Sequence, residues 1–170
     1  GATGVVALEQ PDGGAPPARE LARDWAHAVG IDRDGDLVAV AAGSDGLRLL
    51  SIADRRQPTE LGAFARLHAA DVALVGPYAY VACGLQGLAV LDVSDPALPR
   101  ETARLDLDGA AAVRAGPGRV YVMREPGGLA VVDARDPGSP VLLGELLADD
   151  VTGRLAVSAD GSLAVTSAGA

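Results

Sequence analysis

The chain has 170 residues, 49% of them hydrophobic, which is enough to bury a core and excludes an intrinsically disordered polymer. Its formal net charge of −9 at pH 7 disfavours nucleic acids and anionic membrane surfaces as partners, because both carry negative phosphates. No apolar run approaches the roughly 20 residues of a membrane span, so no membrane insertion is expected within this chain. The single cysteine, Cys83, excludes an intrachain disulfide.

Residues 1–26 contain two short stretches that predict strands, and the second begins with Ala18–Leu21. They resemble the second half of the repeated unit that follows, with Gly4 in the place of Gly46. The segment shows neither the basic start nor the long apolar stretch of a signal peptide. It also begins without Met, so we interpret the chain as processed or excerpted.

Three whole units follow, at residues 27–67, 68–108 and 109–150, with a period of 41 residues. A glycine, an aspartate and a proline recur at this spacing: Gly46, Gly87 and Gly128; Asp54, Asp95 and Asp136; Pro58, Pro99 and Pro140. The glycine permits a positive φ at the entrance to a strand, and the aspartate is expected to accept backbone N–H bonds just downstream.

Each unit predicts four short strands separated by turn residues. In the second unit these are Ala70–Leu74, Tyr78–Ala82, Gly87–Val93 and Arg100–Leu105. No long stretch shows the apolar spacing of about 3.6 residues that would predict an amphipathic helix. The units therefore predict an all-β chain.

Residues 151–170 resemble the first half of a unit, because they predict two strands around an Asp-Gly hairpin. The whole chain then amounts to four blade-equivalents: three whole units and two complementary halves at the termini. A period of about 40 residues with four strands predicts a β-propeller of four-stranded antiparallel blades. The halves join into a closing fourth blade, or the chain is part of a propeller of about six to eight blades; the missing Met favours the second organisation.

The stretch YAYVACGLQGLAVLDVSDPALP, residues 78–99, resembles the LVIVD repeat of bacteria and archaea. The third unit shares Tyr121-Val122, Gly128-Leu129 and Asp136-Pro137 with that repeat. The first unit departs from it at Ala39, Ser51 and Arg55. The resemblance implies a β-propeller, often in secreted or cell-surface proteins, with no generally assigned catalytic activity.

His27, His68 and Asp150 occupy one repeat position, just before the predicted innermost strand, where the third unit has Gly109. In a propeller this position lies near one mouth of the central channel. Three such side chains converging on the axis would suit a metal ion; the alternative is that they are polar strand-edge residues facing water. Trp25 is either a binding anchor at the same mouth or the cover of a blade edge.

The acidic stretch Asp32–Asp36 lacks the glycine and glutamate placement of a calcium loop, which favours Asp34-Gly35 as a tight turn. Cys83 is expected to be a packed thiol rather than a reactive one. Arg119, Arg124 and Glu125 are expected in a solvated loop.

The sequence contains no nucleophile elbow, zinc-protease, P-loop or dinucleotide motif. We therefore predict a non-enzymatic interaction or scaffold module, extracytoplasmic by resemblance, with a protein or cell-envelope partner and no cofactor. The alternative is a hydrolytic or metal-dependent enzyme with its site at the channel mouth. In that case His27, His68 and Asp150 would carry the site.

Overall fold

The computed structural model describes residues 4–8, 18–23, 28–55, 57–147, 151–158 and 164–168. These residues form sixteen β-strands. Over the same residues, no helix has the length and hydropathy that a membrane span requires.

Three four-stranded antiparallel sheets form the blades. The first blade contains β3 (Gly30–Asp34), β4 (Leu37–Ala41), β5 (Leu47–Ser51) and β6 (Thr59–Phe64). The second contains β7 (Asp71–Val75), β8 (Tyr78–Ala82), β9 (Leu88–Asp92) and β10 (Arg100–Leu105). The third contains β11 (Ala110–Gly116), β12 (Arg119–Arg124), β13 (Leu129–Asp133) and β14 (Val141–Leu146).

Two hairpins flank the three blades in the chain. The first pairs β1 (Gly4–Leu8) with β2 (Ala18–Arg23), and the last pairs β15 (Val151–Val157) with β16 (Ala164–Ala168). Each forms a two-stranded sheet of its own. The predicted all-β propeller with four-stranded antiparallel blades is thus confirmed, whereas the joining of the two hairpins into one closing blade stays a prediction.

The hydrophobic core lies between the blades rather than inside any one of them. One layer between the first and second blades includes Leu49, Val72, Val81 and Leu91. A second layer, between the second and third blades, includes Leu88, Val113, Val120 and Val132. Middle strands such as β8 are buried on both faces because a neighbouring blade covers each side.

The hairpin between β3 and β4 corrects one sequence prediction by one residue. Asp34 pairs with Leu37 and stays in the strand, so the two turn residues are Gly35-Asp36 rather than Asp34-Gly35. Gly35 has a φ of +58°, because a two-residue hairpin turn needs a positive φ at its first central position. The acidic stretch is therefore a tight hairpin.

The repeated glycine and aspartate behave as predicted. Gly87 has a φ of +76°, and a Cβ placed on it would lie 2.2 Å from the carbonyl oxygen of Leu105. The Oδ1 atom of Asp95 accepts the Ala97 N–H at 3.1 Å, and that of Asp136 accepts the Gly138 N–H at 3.0 Å. These Asx turns end the third strands of the second and third blades.

Aspartates on the inner strands link successive blades, a role that the sequence analysis missed. The Oδ2 atom of Asp32 accepts the N–H of Leu74 at 2.7 Å, and that of Asp71 accepts the N–H of Val113 at 3.0 Å. Each inner strand is an edge of its sheet, so the N–H groups that point away from that sheet need acceptors from elsewhere. A Cβ on Gly30 would lie 2.4 Å from Asp71 Oδ1, which explains the glycine there.

Candidate binding cavity at the mouth of the blades

A cavity of about 800 Å³ opens at the end of the blades where the inner strands begin. Equivalent positions of the three repeats line it. Val29, Ala70 and Ala111 lie at the starts of the inner strands, and Gly43, Gly84 and Glu125 lie just after the second strands. Ser44, His68, Leu85, Gly109 and Ala110 complete the lining. We call this the mouth cavity.

Backbone bridges between blades build its wall. Gly43 and Ala69 exchange two N–H···O hydrogen bonds of 2.9 Å, and Gly84 and Ala110 exchange two of 2.8 and 3.1 Å. Each bridge joins a residue just after a second strand to the start of the inner strand of the next blade or the linker before it. The N–H and C=O groups in these bridges satisfy one another, so the bridges present no free backbone donor to the cavity. Most of the side chains in the wall are small and apolar.

The third blade departs from this pattern at Glu125. Its N–H donates to the carbonyl oxygen of Gly109 at 2.7 Å, and its bond to Pro126 is cis. A Cβ on Gly109 would lie 2.1 Å from the carbonyl oxygen of Glu125, so only glycine permits this contact. The Glu125 side chain is exposed, and no ion pair or hydrogen bond to its carboxylate is present within the described part of the chain. One carboxylate thus lies on an otherwise largely apolar wall.

The prediction that Arg119, Arg124 and Glu125 form a solvated loop is wrong for the two arginines. Both lie in β12, because that strand pairs with β11 along its whole length. The Arg124 guanidinium donates to the Asp108 carbonyl oxygen at 2.8 Å and pairs with Glu145. Glu125 alone follows the strand.

Two large apolar side chains project at the cavity. Leu85 is 83% exposed, on the turn between β8 and β9, and Val29 is 62% exposed, just before β3. Exposed apolar groups beside a concave apolar surface are typical of binding sites. Neither Leu85 nor Val29 lies in a sequence motif, so their place at the cavity is visible only in the structure.

Of the residues predicted to form a site, the structure places His68 at the mouth cavity. Its side chain is exposed, and its N–H donates to Gln86 Oε1 at 2.9 Å. His27, Asp150 and Trp25 lie outside the described residues. Within the described ranges no three His, Cys, Asp or Glu side chains are arranged to hold a metal ion. The predicted metal site therefore stays a prediction.

Cys83 is a packed thiol, as predicted. Its side chain is buried between the first and second blades, and its Sγ donates to the Val81 carbonyl oxygen at 3.3 Å. Burial raises the pKa of this thiol to about 11, so little nucleophilic thiolate exists near neutral pH.

A smaller concavity of about 170 Å³ lies at the opposite end of the second blade, lined by Asp92, Ser94, Asp95, Leu98 and Arg100. Its carboxylates already bind backbone groups: Asp92 accepts the Ser94 N–H at 2.9 Å, and Asp95 accepts that of Ala97. Hydrogen bonds from Ser94 lower the pKa of Asp92. These residues shape a turn.

The sequence matches the family model of the LVIVD repeat over residues 68–106 and 118–147, which fall in the second and third units. A comparison with curated proteins gives no significant match.

Solved structures with a similar fold share little sequence with this chain. A chain of a nidogen–laminin complex has a TM-score of 0.55 and 16% identity, over 82% of this chain and 57% of that one. PorZ, a bacterial surface component of the type-IX secretion system of Porphyromonas gingivalis, has a TM-score of 0.52 and 18% identity, over 75% of this chain and 17% of that one.

The N-terminal domain of Nup159 has a TM-score of 0.46 and 14% identity, over 69% of this chain and 30% of that one. This chain thus spans less than two thirds of the length of each of these solved chains. At such identities the nidogen–laminin and PorZ likenesses concern the fold. Together with the repeat match and the stacked four-stranded sheets, they lead to one conclusion: the chain carries two LVIVD repeats, at residues 68–106 and 118–147, in a β-propeller fold.

Proposed function

We propose that this chain is a non-enzymatic protein-interaction module of an extracytoplasmic scaffold, and that it binds its partner at the mouth cavity. The observation that carries the proposal is the cavity itself, built from equivalent positions of three blades and flanked by the 83% exposed side chain of Leu85. An exposed anchor beside a rigid apolar depression is typical of protein recognition.

The mouth cavity suits binding better than chemistry. Its wall is held by backbone bridges between blades, which makes it rigid, and a rigid site loses little entropy when a partner binds. Among the described lining residues, the polar side chains are those of Ser44, His68 and Glu125. The buried thiol of Cys83 lies in the core layer between blades, outside this lining.

The extracytoplasmic location is supported by the repeat and by two likenesses in fold. PorZ is a surface component of a bacterial secretion system, and the nidogen chain was solved in complex with laminin. One similar fold thus belongs to a bacterial surface component and the other to a complex of two proteins. The proposal extends that setting to this chain.

Site-specific photocrosslinking in the cells that produce the protein tests the proposal. A photoreactive amino acid replaces Leu85 in the full chain, and a matched variant carries it at Leu98, which is 62% exposed at the opposite end of the second blade. We expect one discrete protein adduct from position 85, competed by the unlabelled chain and absent from position 98. No adduct at position 85, or the same adducts at both positions, would contradict the proposal.

One observation favours the alternative, a hydrolytic or metal-dependent enzyme: His68 lies at the mouth cavity. The metal content of the purified full chain tests this alternative. A stoichiometric metal that is lost in His68→Ala and in His27→Ala would replace the interaction proposal with a metal site. A chain that binds no metal leaves the alternative without residues to carry it.

A further inference from the structure

We infer that the mouth cavity takes a loop of a partner protein in which a lysine or arginine lies among aliphatic residues. The inference rests on the proposed function and adds the chemistry of the partner. It is carried by the pairing of an apolar wall with the Glu125 carboxylate, the one carboxylate among the described lining residues, to which no described residue forms a hydrogen bond or ion pair.

The apolar lining of the cavity favours aliphatic side chains of the partner. Val29, Ala70 and Ala111 provide side chains from three inner strands, and Leu85 extends from the rim with 83% of its surface exposed. The volume of about 800 Å³ lies within the range of about 300–1,000 Å³ found for ligand pockets. It therefore accommodates several side chains of one loop rather than a single residue.

The Glu125 carboxylate favours a cationic side chain of the partner. Glu125 replaces the glycine that the first two repeats have at this position, Gly43 and Gly84, and no lysine or arginine is among the described residues that line the cavity. Arg124 is adjacent in sequence, but Asp108 and Glu145 engage its guanidinium. Among the described residues, no arginine therefore competes with a ligand for the Glu125 carboxylate.

The surroundings of the cavity strengthen this preference. The linker between the second and third blades adds the exposed carboxylates of Asp106 and Asp108, and the linker before the second blade adds one exposed arginine, Arg66. The whole chain has a net charge of −9. A basic partner is therefore attracted to this end by the overall field as well as by Glu125.

Lysine and arginine combine the two required features in one side chain. Their methylene stems cover apolar surface while the charged head reaches a polar group. In the mouth cavity the stem would lie against the alanine and valine side chains, and the head would donate hydrogen bonds to the Glu125 carboxylate. Aliphatic neighbours of that residue would cover Leu85.

Three fluorescein-labelled peptides of one length test the inference, with lysine, glutamate or norleucine at the centre of an otherwise identical leucine–valine sequence. Their affinities for the full chain are measured by fluorescence anisotropy. We expect the lysine peptide to bind most tightly and Glu125→Gln to weaken it by about tenfold, the loss of one charge-assisted hydrogen bond. The same variant should change the affinity of the norleucine peptide by less than about twofold.

Matched variants separate charge from fold. Asp36→Asn removes the same charge from the hairpin turn between β3 and β4, at the other end of the first blade, and should leave all three affinities unchanged. Leu85→Ala should weaken all three peptides. Glu125→Arg should reverse the order, so that the glutamate peptide binds more tightly than the lysine peptide. Circular dichroism of each variant checks that the sheets are intact.

The inference is overturned if the three peptides bind equally, if none binds, or if Glu125→Gln and Asp36→Asn have the same effect on the lysine peptide. Those results leave the proposed function standing when position 85 still gives a discrete crosslink. Loss of both the peptide preference and the crosslink removes the proposed function as well.

Discussion

The second and third blades both form a four-stranded sheet and both match the LVIVD repeat, yet their strands are buried to different extents. The third strand of the second blade, β9, is buried at four of its five residues, whereas its counterpart β13 is buried at two of five. The outer strand of the second blade, β10, is exposed at four of its six residues. In the third blade every residue of β14 is exposed, including Val141, Leu143 and Leu146, which are 50% exposed or more. The repeat sequence therefore determines that a blade forms, whereas the adjacent blades determine how deeply each of its residues is buried.

Equivalent glycines of the outer strands show the same contrast at atomic scale. A Cβ on Gly62 in the first blade would lie 2.3 Å from the carbonyl oxygen of Pro96 in the second. At its counterpart in the third blade, Gly144, no described atom lies within 4 Å of a Cβ. The contact at Gly62 comes from the following blade, so the steric need for a glycine depends on that neighbour as well as on the repeat.

The largest expected effect compares one leucine in two blades. Leu88 is fully buried between the second and third blades, whereas its repeat equivalent Leu129 is half-buried. Leu88→Ala should cost about 2–5 kcal/mol of unfolding free energy, because it leaves a cavity in a packed layer, and Leu129→Ala should cost less. Urea unfolding of the two variants measures the difference. Equal costs would contradict the idea that neighbours set the energetics of a repeat.

A second comparison uses the glycine that precedes this leucine. A Cβ on Gly87 would lie 2.2 Å from the Leu105 carbonyl oxygen, against 2.8 Å between a Cβ on Gly128 and the Leu146 carbonyl oxygen. Both have a positive φ, of +76° and +141°. Gly87→Ala should cost about 2–4 kcal/mol, from a left-handed backbone plus a clash with packed backbone.

Gly128→Ala should cost less, because its neighbour β14 is exposed and can shift. Thermal unfolding of both variants, followed by circular dichroism, gives the order. A larger cost at Gly128 would show that β14 is held more firmly than its exposure indicates.

A third, smaller effect concerns the boundary between the same two blades. Asp71 accepts the N–H of Val113 and pairs with the Arg114 guanidinium at 2.8 Å. Asp71→Ala should cost about 1–3 kcal/mol, because it leaves a buried N–H without its acceptor. Asp71→Asn keeps an acceptor oxygen and should cost less than Asp71→Ala in chemical denaturation. If the two substitutions cost the same, the hydrogen bond to Val113 contributes nothing.

The smallest effect is one of titration, at the repeat-equivalent aspartates Asp92 and Asp133. Hydrogen bonds from the Arg135 guanidinium lower the pKa of Asp133 to about 2, whereas those from Ser94 lower the pKa of Asp92. Because both folded pKa values are depressed, any stabilisation from these carboxylates is present above the unfolded-state pKa of about 4 and is lost as the pH falls through the folded value.

NMR titration of the carboxyl carbons measures both values. Arg135→Ser gives the third blade the serine that the second blade has at this position, and it should raise the pKa of Asp133 above its value in the unchanged chain. An Asp133 that titrates at the usual value in the unchanged chain would exclude the bidentate contact with Arg135.

Much of the fold follows from local features of the sequence. The predicted strands Tyr78–Ala82 and Arg100–Leu105 have the observed bounds, and the predicted Ala70–Leu74 differs by one residue from β7. Strand alternation and turn residues act within a few positions of one another, so a single repeat already contains the information for its own sheet. Successive copies then predict that the sheets stack.

The candidate site is different, because it is assembled from residues about 41 positions apart. His68 was predicted at the channel mouth from its repeat position, and the structure places it at the mouth cavity. The sequence predicts Glu125 in a solvated loop and contains no motif at Leu85. Their position at the cavity depends on which linkers and turns meet at that end of the blades, which no local pattern contains.

The repeated unit can be derived from the sequence: its period, its four strands, and the glycine and Asx turns that separate them. Which repeated positions have the same surroundings becomes visible only when the blades are packed together. The tertiary structure brings Asp71 to the edge of the third blade, leaves β14 exposed and places Glu125 on an apolar wall. The physical reason is that turns and strands form through short-range interactions, whereas burial and charge pairing depend on the blade packed alongside.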